Sequence, residues 1–432
     1  MNRLRKCIKW TAIAVTVAIT ILLILNAYFV WSTGTRLEKR LVALRQAGDP
    51  VQLADLARES IPPEQNADVF WRRAADDLDA IEKELEAQYP KKGYPTETLS
   101  PAEQDRLEKL FAAYPKVMPL LEQAAACPDA DPQLDYTVSP LSRFLDPYME
   151  HTSRHRLLYR VLRARSALLL SKGRLDEALS AHILALRLAR HWRREPLLLG
   201  YLVTVACEQL AMDGINQVLQ TGPLAANLRQ SLDRELALHD TLEGYYRALR
   251  TERAYALSSV QELPGGGLWQ TWLTRGFVND LKLQLIDLFD RFLGKGTQPY
   301  REVVSARSKT TSTGSVLNPL TNLVRLLEPA LNNLREPAER TRVLSRSLRV
   351  LNAILDRAPA GSDRTPKFDE LGLPSETTTD PFSGELLRIK KLPNGWMVYS
   401  VGSNLVDDGG NLDGRKDVGV RPITRHASEK KP

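Results

Sequence analysis

The sequence predicts a mainly α-helical protein with an N-terminal transmembrane helix, an irregular antiparallel helical bundle and a small C-terminal β-hairpin module. An uncharged apolar run covers residues 10–31, and most of the chain after it repeats apolar residues at helical spacing. The segment after Asp380 instead alternates side chains about a turn. With 432 residues, 43% hydrophobic and 26% charged, the chain is long enough for a sizeable core and is not of disordered composition.

The apolar run at 10–31 is predicted to span a membrane. At about 1.5 Å per residue it extends about 33 Å, which exceeds a hydrocarbon core of about 30 Å. Trp10 lies at one end and Tyr28 and Trp31 at the other, where aromatic side chains favour the lipid–water interface. A cleaved signal peptide is the alternative, but the run is longer than a usual signal-peptide core and Ser32-Thr33-Gly34 is a weak cleavage site.

Flanking charges predict the orientation of this helix. The basic residues before it are Arg3, Arg5, Lys6 and Lys9, and those soon after it are Arg36, Lys39 and Arg40. The positive-inside rule then leaves residues 1–9 in the cytoplasm, although the second group weakens the contrast. Residues from 32 onward would lie outside the inner (cytoplasmic) membrane. There a net charge of +7 favours anionic lipid or a carboxylate-rich protein partner over nucleic acid.

A helical region is predicted over 32–357. It begins with a short stalk helix at 34–47 that ends at Gly48-Asp49-Pro50. Ser100-Pro101-Ala102-Glu103 is a capping box that opens a helix to about residue 113. Further helices are predicted at 66–88, 117–126, 197–219, 224–238, 244–260 and 277–293, with two more within 317–357.

A helical hairpin is predicted from residue 153 to the proline at 196, with Lys172-Gly173-Arg174 as its turn. The run 167–178 resembles the inter-helix segment of tetratricopeptide repeats, in which glycine makes the turn and a small alanine lets the helices approach. No second copy follows at a period of about thirty-four residues, so a hairpin within a non-repeating bundle is favoured. This hairpin is the predicted surface for a protein partner.

Two segments interrupt the later helices. Pro264-Gly265-Gly266-Gly267 is predicted to end the helical pattern. The aromatic segment 268–293 after it has two interpretations. It is either a hairpin that enters the membrane interface or a core-packing helix, and the helix is favoured. A flexible linker is predicted at 309–315. The main domain boundary is predicted in 358–379, which is rich in Pro, Gly, Ser, Thr and Asp.

The C-terminal module is predicted at 380–425, followed by a disordered tail at 426–432. Side chains alternate with period two on both sides of Pro393-Asn394-Gly395. Asn-Gly is a preferred hairpin turn because both residues tolerate positive φ. The sequence therefore predicts a β-hairpin.

This module carries a resemblance to known proteins. Asp380-Pro381-Phe382, Gly384, the hairpin, Tyr399-Ser400 with Gly402, and an acidic glycine-rich loop together resemble the C-terminal part of the major pseudopilins of type II secretion. In that family the loop binds calcium, and the resemblance implies calcium here. The matching oxygen donors are Asp407, Asp408, Asn411, Asp413 and Asp417, which suit a hard cation. The alternative is a solvated acidic loop.

The N-terminus departs from the pseudopilin pattern, because the apolar helix lacks the family's processing signature and its early glutamate. The anchor, the segments 41–49 and 61–67, the helical region and the tail together resemble uncharacterised membrane-anchored proteins of planctomycete-type bacteria. That family implies no known activity.

Few residues suggest chemistry. His151 and His155 are four apart and would share a helix face with Glu150 as a third metal ligand, but two exposed histidines are the favoured interpretation. Cys127 and Cys207 would lie where a disulfide persists, although Cys207 is more typical of a small buried hydrophobe.

No catalytic signature is present, so the sequence predicts a membrane-anchored scaffold or interaction protein rather than an enzyme, with no cofactor beyond calcium. An envelope enzyme without a recognisable motif and an accessory of a secretion system are the alternatives.

Overall fold

A computed structural model describes residues 2–89, 99–262, 267–294, 298–307, 321–357, 364–414 and 416–422. The helices are α1 Asn2–Gln46, α2 Ala67–Gln88, α3 Pro101–Ala113, α4 Val117–Ala126, α5 Ser142–Ser171, α6 Leu175–Trp192, α7 Leu198–Leu219, α8 Ala226–Leu238, α9 Glu243–Gln261, α10 Leu268–Gly294, α11 Tyr300–Arg307, α12 Thr321–Asn333, α13 Arg335–Arg357 and α14 Ser375–Thr378. The strands are β1 Arg388–Leu392, β2 Gly395–Ser400 and β3 Val418–Val420. The chain is thus mostly helical with one small antiparallel sheet, as predicted. The predicted linker at 309–315, the break at 264–266 and the tail at 426–432 lie outside the described residues.

The N-terminal helix is longer than predicted. The segment 8–46 of α1 has an apolar window of mean hydropathy 2.4 that is 0% buried, which is compatible with a membrane anchor. α7 is also apolar, with mean hydropathy 1.3, but 56% of its window is buried, so it is a core helix. The prediction of a separate stalk helix at 34–47 is wrong, because α1 continues through Gly34 without a break.

Local capping signals set several helix starts as the sequence predicts. Asn66 accepts a hydrogen bond from the backbone N–H of Asp68 at 3.0 Å and begins α2. In the capping box the carboxylate of Glu103 accepts from the N–H of Ser100 at 2.8 Å, and Pro101 is the first helical residue. Both caps satisfy N–H groups that have no partner within the helix.

α5 and α6 form the predicted hairpin, but α5 begins eleven residues earlier than expected, at Ser142. The turn places Gly173 at φ 72°, a left-handed conformation that favours glycine. Ala178 is fully buried, so its small side chain lets the two helices approach. The likeness to a tetratricopeptide unit stays a prediction.

The large core cluster includes apolar residues of α2 to α8, α13 and the sheet. Cys207 lies in it at 0% exposure, as predicted, and it and Cys127 are free thiols in this structure. A second cluster joins Leu37 of α1 to α9, α10 and α12. The end of α1 is therefore part of the folded body.

Ion pairs join α1 and the turn after it to that body. Arg253 of α9 is 0% exposed and donates to Asp49 at 2.6 Å and to Asp290 of α10 at 2.7 Å. Arg40 of α1 donates to Asp290 and to Asp287, each at 2.8 Å. The paired arginines and carboxylates hold α1, α9 and α10 in one arrangement.

The sheet has the order β1-β2-β3, antiparallel throughout, and β3 was not predicted. The hairpin is present, but Leu392 pairs with Gly395, so Pro393 and Asn394 make the turn rather than Asn394 and Gly395. Gly395 has φ 149°, and a Cβ there would collide with the side chain of Gln220, just after α7.

The sheet is not separated from the helices. Leu387, Trp396, Val398 and Val420 belong to the same core cluster as α13. Within the predicted linker, α14 packs on α13, where Arg349 donates to the hydroxyl of Thr377 at 2.8 Å. The segment from 364 to 379 is thus folded against the body rather than a spacer.

Candidate functional site

A cluster of three side chains, two buried and one partly buried, joins two histidines of α5 to a glutamate that follows α6. His151 Nε2 lies 3.0 Å from Glu195 Oε1, and His155 Nε2 lies 3.9 Å from the same oxygen. All three ligand atoms lie within 4.8 Å of one another. The side chains of His151, His155 and Glu195 are 11%, 0% and 4% exposed. This arrangement is the candidate functional site.

The local sequence explains how the site forms. The four-residue spacing places His151 and His155 on one face of α5. Glu195 lies just beyond the end of α6, where its N–H donates to the carbonyl of Trp192 at 3.0 Å. The indole of Trp192 stacks on the ring of His155 at 3.8 Å between centroids and 12° between planes. Trp71 of α2 contacts the same two rings and closes that side of the site.

Two sequence predictions about this site are wrong. The histidines are not exposed, because α5 begins at Ser142 and they lie well inside the helix, against aromatic side chains. Glu150 does not join them: it is 65% exposed and accepts from Arg154 at 2.6 Å. The carboxylate that completes the cluster is Glu195. It lies 40 residues after His155 in the sequence, too far for the spacing to predict the contact.

Asp68 of α2 forms an outer layer of the cluster. Its carboxylate oxygen Oδ1 lies 3.7 Å from His151 Nδ1, on the opposite side of the ring from Glu195. Asp68 is 2% exposed and forms an ion pair with Arg72 one turn further along α2. A carboxylate behind a histidine fixes the ring orientation and its tautomer.

The surroundings of the two histidines shift their pKa values in opposite directions. Burial alone would lower the pKa of His151, but the carboxylates of Glu195 and Asp68 outweigh it and raise that pKa. For His155 burial, with His151 beside it, holds the pKa well below the usual value. His155 is therefore a neutral imidazole at physiological pH, the form that binds metal ions.

The acidic loop predicted to bind calcium is held by protein partners. Asp417 is 1% exposed and accepts from the N–H groups of Gly410 at 2.7 Å and Asn411 at 2.9 Å. Basic side chains contact the other carboxylates: Asp407 pairs with Arg388 at 2.7 Å, Asp408 with Lys416 at 3.4 Å and Asp413 with Arg421 at 2.5 Å. The side chain of Asn411 accepts from the N–H of Gly414 at 3.1 Å. The carboxylate of Asp417 thus holds the loop in shape through these backbone hydrogen bonds. Calcium binding by the loop stays a prediction.

The acidic loop differs from the histidine cluster in how close its possible metal-ligand atoms lie to one another. Among the described residues, the group of three His, Cys, Asp or Glu side chains whose ligand atoms lie close enough to share an ion is His151, His155 and Glu195. The loop carboxylates do not form such a group. Sequence reasoning identified the two histidines, but not the glutamate or Asp68.

Comparisons with protein-family models, with curated proteins and with solved structures found no match to this chain.

Proposed function

We propose that this chain is a single-pass, membrane-anchored scaffold or protein-interaction protein, with its helical body outside the inner membrane and held directly at the bilayer surface. The observation that carries the proposal is that the anchor helix continues into the body and packs there along α10. The basic residues before the apolar run supply the orientation.

The two helices run in the same direction. The ring of Phe29 contacts that of Phe277 at 5.3 Å between centroids, Gly34 lies beside Asn279, and Arg40 binds Asp287. Because position increases along both helices together, residues of α10 before Phe277 point toward the side where the apolar run of α1 lies. The first two turns of α10 would then approach the lipid.

The neighbouring helix α9 does not follow α10 to this end. The ammonium of Lys282 donates to the side chain of Gln261, the last residue of α9, at 3.3 Å. The part of α10 between Trp269 and Lys282 therefore extends about 20 Å beyond α9. Trp269 is 76% exposed and Leu273 is 45% exposed. Exposed tryptophan and leucine side chains beside the apolar run of α1 suit contact with lipid.

A cleft beside the turn of the α5–α6 hairpin is the surface we propose for a partner. It holds about 220 Å³ and is lined by Phe111 and Glu108 of α3, by Leu168 and Leu169 of α5, and by the basic residues Arg165, Lys172 and Arg174. Lys172 pairs with Glu108 and Arg174 with Glu177, each at 2.5 Å, so three cations face one carboxylate around the cleft. An apolar floor with a basic rim suits an acidic segment of another protein that carries an apolar side chain.

Site-specific photo-crosslinking in living cells tests this function. A photoreactive amino acid replaces Ala112, which lines the cleft, and in a matched control it replaces Ala87, an exposed alanine near the end of α2. We expect a discrete crosslinked protein from the first position only. Adducts common to both positions, or none from either, would contradict the proposed role.

A second candidate function is that of an envelope enzyme, and one cleft favours it. This cleft of about 460 Å³ lies between α8 and α13 and is lined by Arg229, Arg234, Arg349 and Arg357 together with Asp233 and Asp356. Four arginines would suit an anionic substrate. Asp233 already pairs with Arg349 at 2.8 Å, which favours a structural role for part of this surface.

A further inference from the structure

We propose that His151, His155 and Glu195 bind a divalent transition-metal ion of the Zn²⁺ type. Two imidazoles and one carboxylate form a donor set that zinc accepts and that calcium and magnesium do not favour. This site goes beyond the scaffold role, which does not depend on it.

The distances between the ligand atoms fit one ion. Bonds of about 2.0–2.1 Å in a tetrahedral site place neighbouring ligand atoms about 3.3 Å apart. The two histidine nitrogens lie 3.0 and 3.9 Å from Glu195 Oε1, on either side of that value. Small side-chain rotations would complete the coordination without moving the helices.

The second observation is the environment of His155. Its side chain is 0% exposed, and within the described part of the chain neither of its ring nitrogens has a hydrogen-bond partner. The oxygen Oε2 of Glu195 is likewise buried without one. An unsatisfied buried polar group costs about 1–3 kcal/mol. Coordination by His155 Nε2 and Glu195 would offset part of this cost.

Asp68 supplies the outer-shell partner that such sites use. Its carboxylate faces His151 Nδ1 at 3.7 Å, the nitrogen away from the shared ion. A hydrogen bond from Nδ1–H to Asp68 would leave the Nε2 lone pair directed at the metal. Arg72 in turn holds Asp68 in place.

The metal would have a structural role. The ligands and Asp68 come from α5, from the connection after α6 and from α2, so one ion would tie three parts of the body together. The residue after His151 is Thr152, which bonds back to the carbonyl of Tyr148 at 2.8 Å. No glutamate therefore stands where a helical zinc protease carries its general base.

Metal analysis of the full-length chain tests the site. The protein is purified in detergent without a polyhistidine tag, stripped with EDTA, and incubated with zinc before removal of free metal. We expect about one zinc per chain by mass spectrometry and a higher unfolding temperature with zinc than without. Cobalt in place of zinc should give the intense visible absorption of a tetrahedral site.

Variants distinguish this site from other metal binding. His155→Gln should lose the bound zinc and the thermal shift, whereas the matched control His191→Gln, a half-buried histidine of α6 outside the cluster, should keep both. Asp68→Asn should weaken zinc binding by about 10–100-fold.

Glu195→Gln preserves the shape of the side chain and serves where His155→Gln does not fold. Zinc retained equally by the Glu195→Gln and His191→Gln variants would overturn the proposal. So would wild-type protein that binds no zinc and shows no thermal shift, which would leave His151 and Glu195 as an ion pair.

Discussion

At the scale of single residues, buried carboxylates organise this protein through several hydrogen bonds each. Asp380 is 0% exposed. It accepts from the N–H of Phe382 at 2.9 Å and the hydroxyl of Ser383 at 2.9 Å, and from Ser400 at 2.6 Å and Val401 at 3.3 Å. The first two bonds form the turn before the sheet, and the other two tie that turn to the end of β2. One side chain therefore joins the start of the C-terminal segment to the end of β2.

Asp380→Asn should loosen this segment. Its amide group cannot accept all four bonds, and charge-assisted hydrogen bonds are worth about 1.5–3 kcal/mol each. We expect a loss of about 3 kcal/mol locally, seen as roughly 100-fold faster amide hydrogen exchange in β2. Asp413→Asn is the control, because Asp413 is 77% exposed and, in the part of the chain that the structure describes, pairs only with Arg421. Equal exchange in the two variants would contradict the role of Asp380.

Glu208 gives the protein a specific acid sensitivity. Burial alone would raise its pKa, but Arg193 and His239 outweigh it and lower the pKa from 4.5 to about 2. Arg193 donates to the two carboxylate oxygens at 2.6 and 3.0 Å, and His239 lies 3.0 Å from one of them. Because the folded-state pKa is the lower one, this stabilisation is present above about pH 4.5 and is lost as the pH falls toward 2.

Glu208→Gln should remove that dependence. A shift of this size corresponds to on the order of 3 kcal/mol. We expect the variant to unfold at a lower temperature than wild type at pH 7, with the difference shrinking as the pH drops from 4.5 toward 2. Circular dichroism in detergent measures this. The control is Glu150→Gln, at a 65% exposed position, and a difference for Glu208→Gln that does not change with pH would refute the assignment.

At the scale of elements, α10 connects the helical body to α1. Its later turns are core, with Leu281, Leu285 and Phe289 buried. Its first turns are not, since Trp269 is 76% exposed. The two interpretations of 268–293 thus apply to different halves of one helix: core packing is confirmed for the second half, and membrane contact stays a proposal for the first.

A fluorescent label tests the membrane contact of α10. Trp269→Cys, in a chain with Cys7 replaced by serine, is labelled with an environment-sensitive dye and placed in lipid nanodiscs. We expect blue-shifted emission that brominated lipids quench, because the dye would lie among lipid chains. Val42→Cys of α1 is the control, since it is 40% exposed on the body side of Arg40. Equal emission from both positions would refute the contact.

At the scale of the whole molecule, the C-terminal sheet and the helices share one core. Val343 of α13 is buried against Phe382 and Val418, in a cluster with Tyr300. Four further side chains of the C-terminal segment are buried in the large core cluster, and burial of such side chains is worth about 1.5–3 kcal/mol each. That sum is comparable to the total stability of a domain, about 5–15 kcal/mol.

Deletion of residues 380–432 should therefore destabilise the helical body. We expect amide hydrogens of α13 to exchange faster in the shortened chain than in the full chain, because the deletion exposes the face of α13 that packs against β2 and β3. Exchange in α3, on another part of the body, is the internal reference. Unchanged protection of α13 would support the separable module that the sequence predicts.

The sequence by itself determined the features that local physics sets. The apolar run at 10–31 predicts the anchor, the Ser100 box starts α3, and alternation about Pro393 predicts the hairpin. Each depends on residues that follow one another in the sequence, so a single stretch of chain carries the whole signal.

Only the tertiary structure decided which residues surround the two histidines and the acidic loop. It joined Glu195 and Asp68 to the two histidines, buried His155 between tryptophans, and placed α10 along α1. These contacts link segments far apart in the sequence and follow from how helices pack, for which no local pattern exists. For the same reason, the sequence identifies the acidic residues of the loop but not the basic side chains that pair with them.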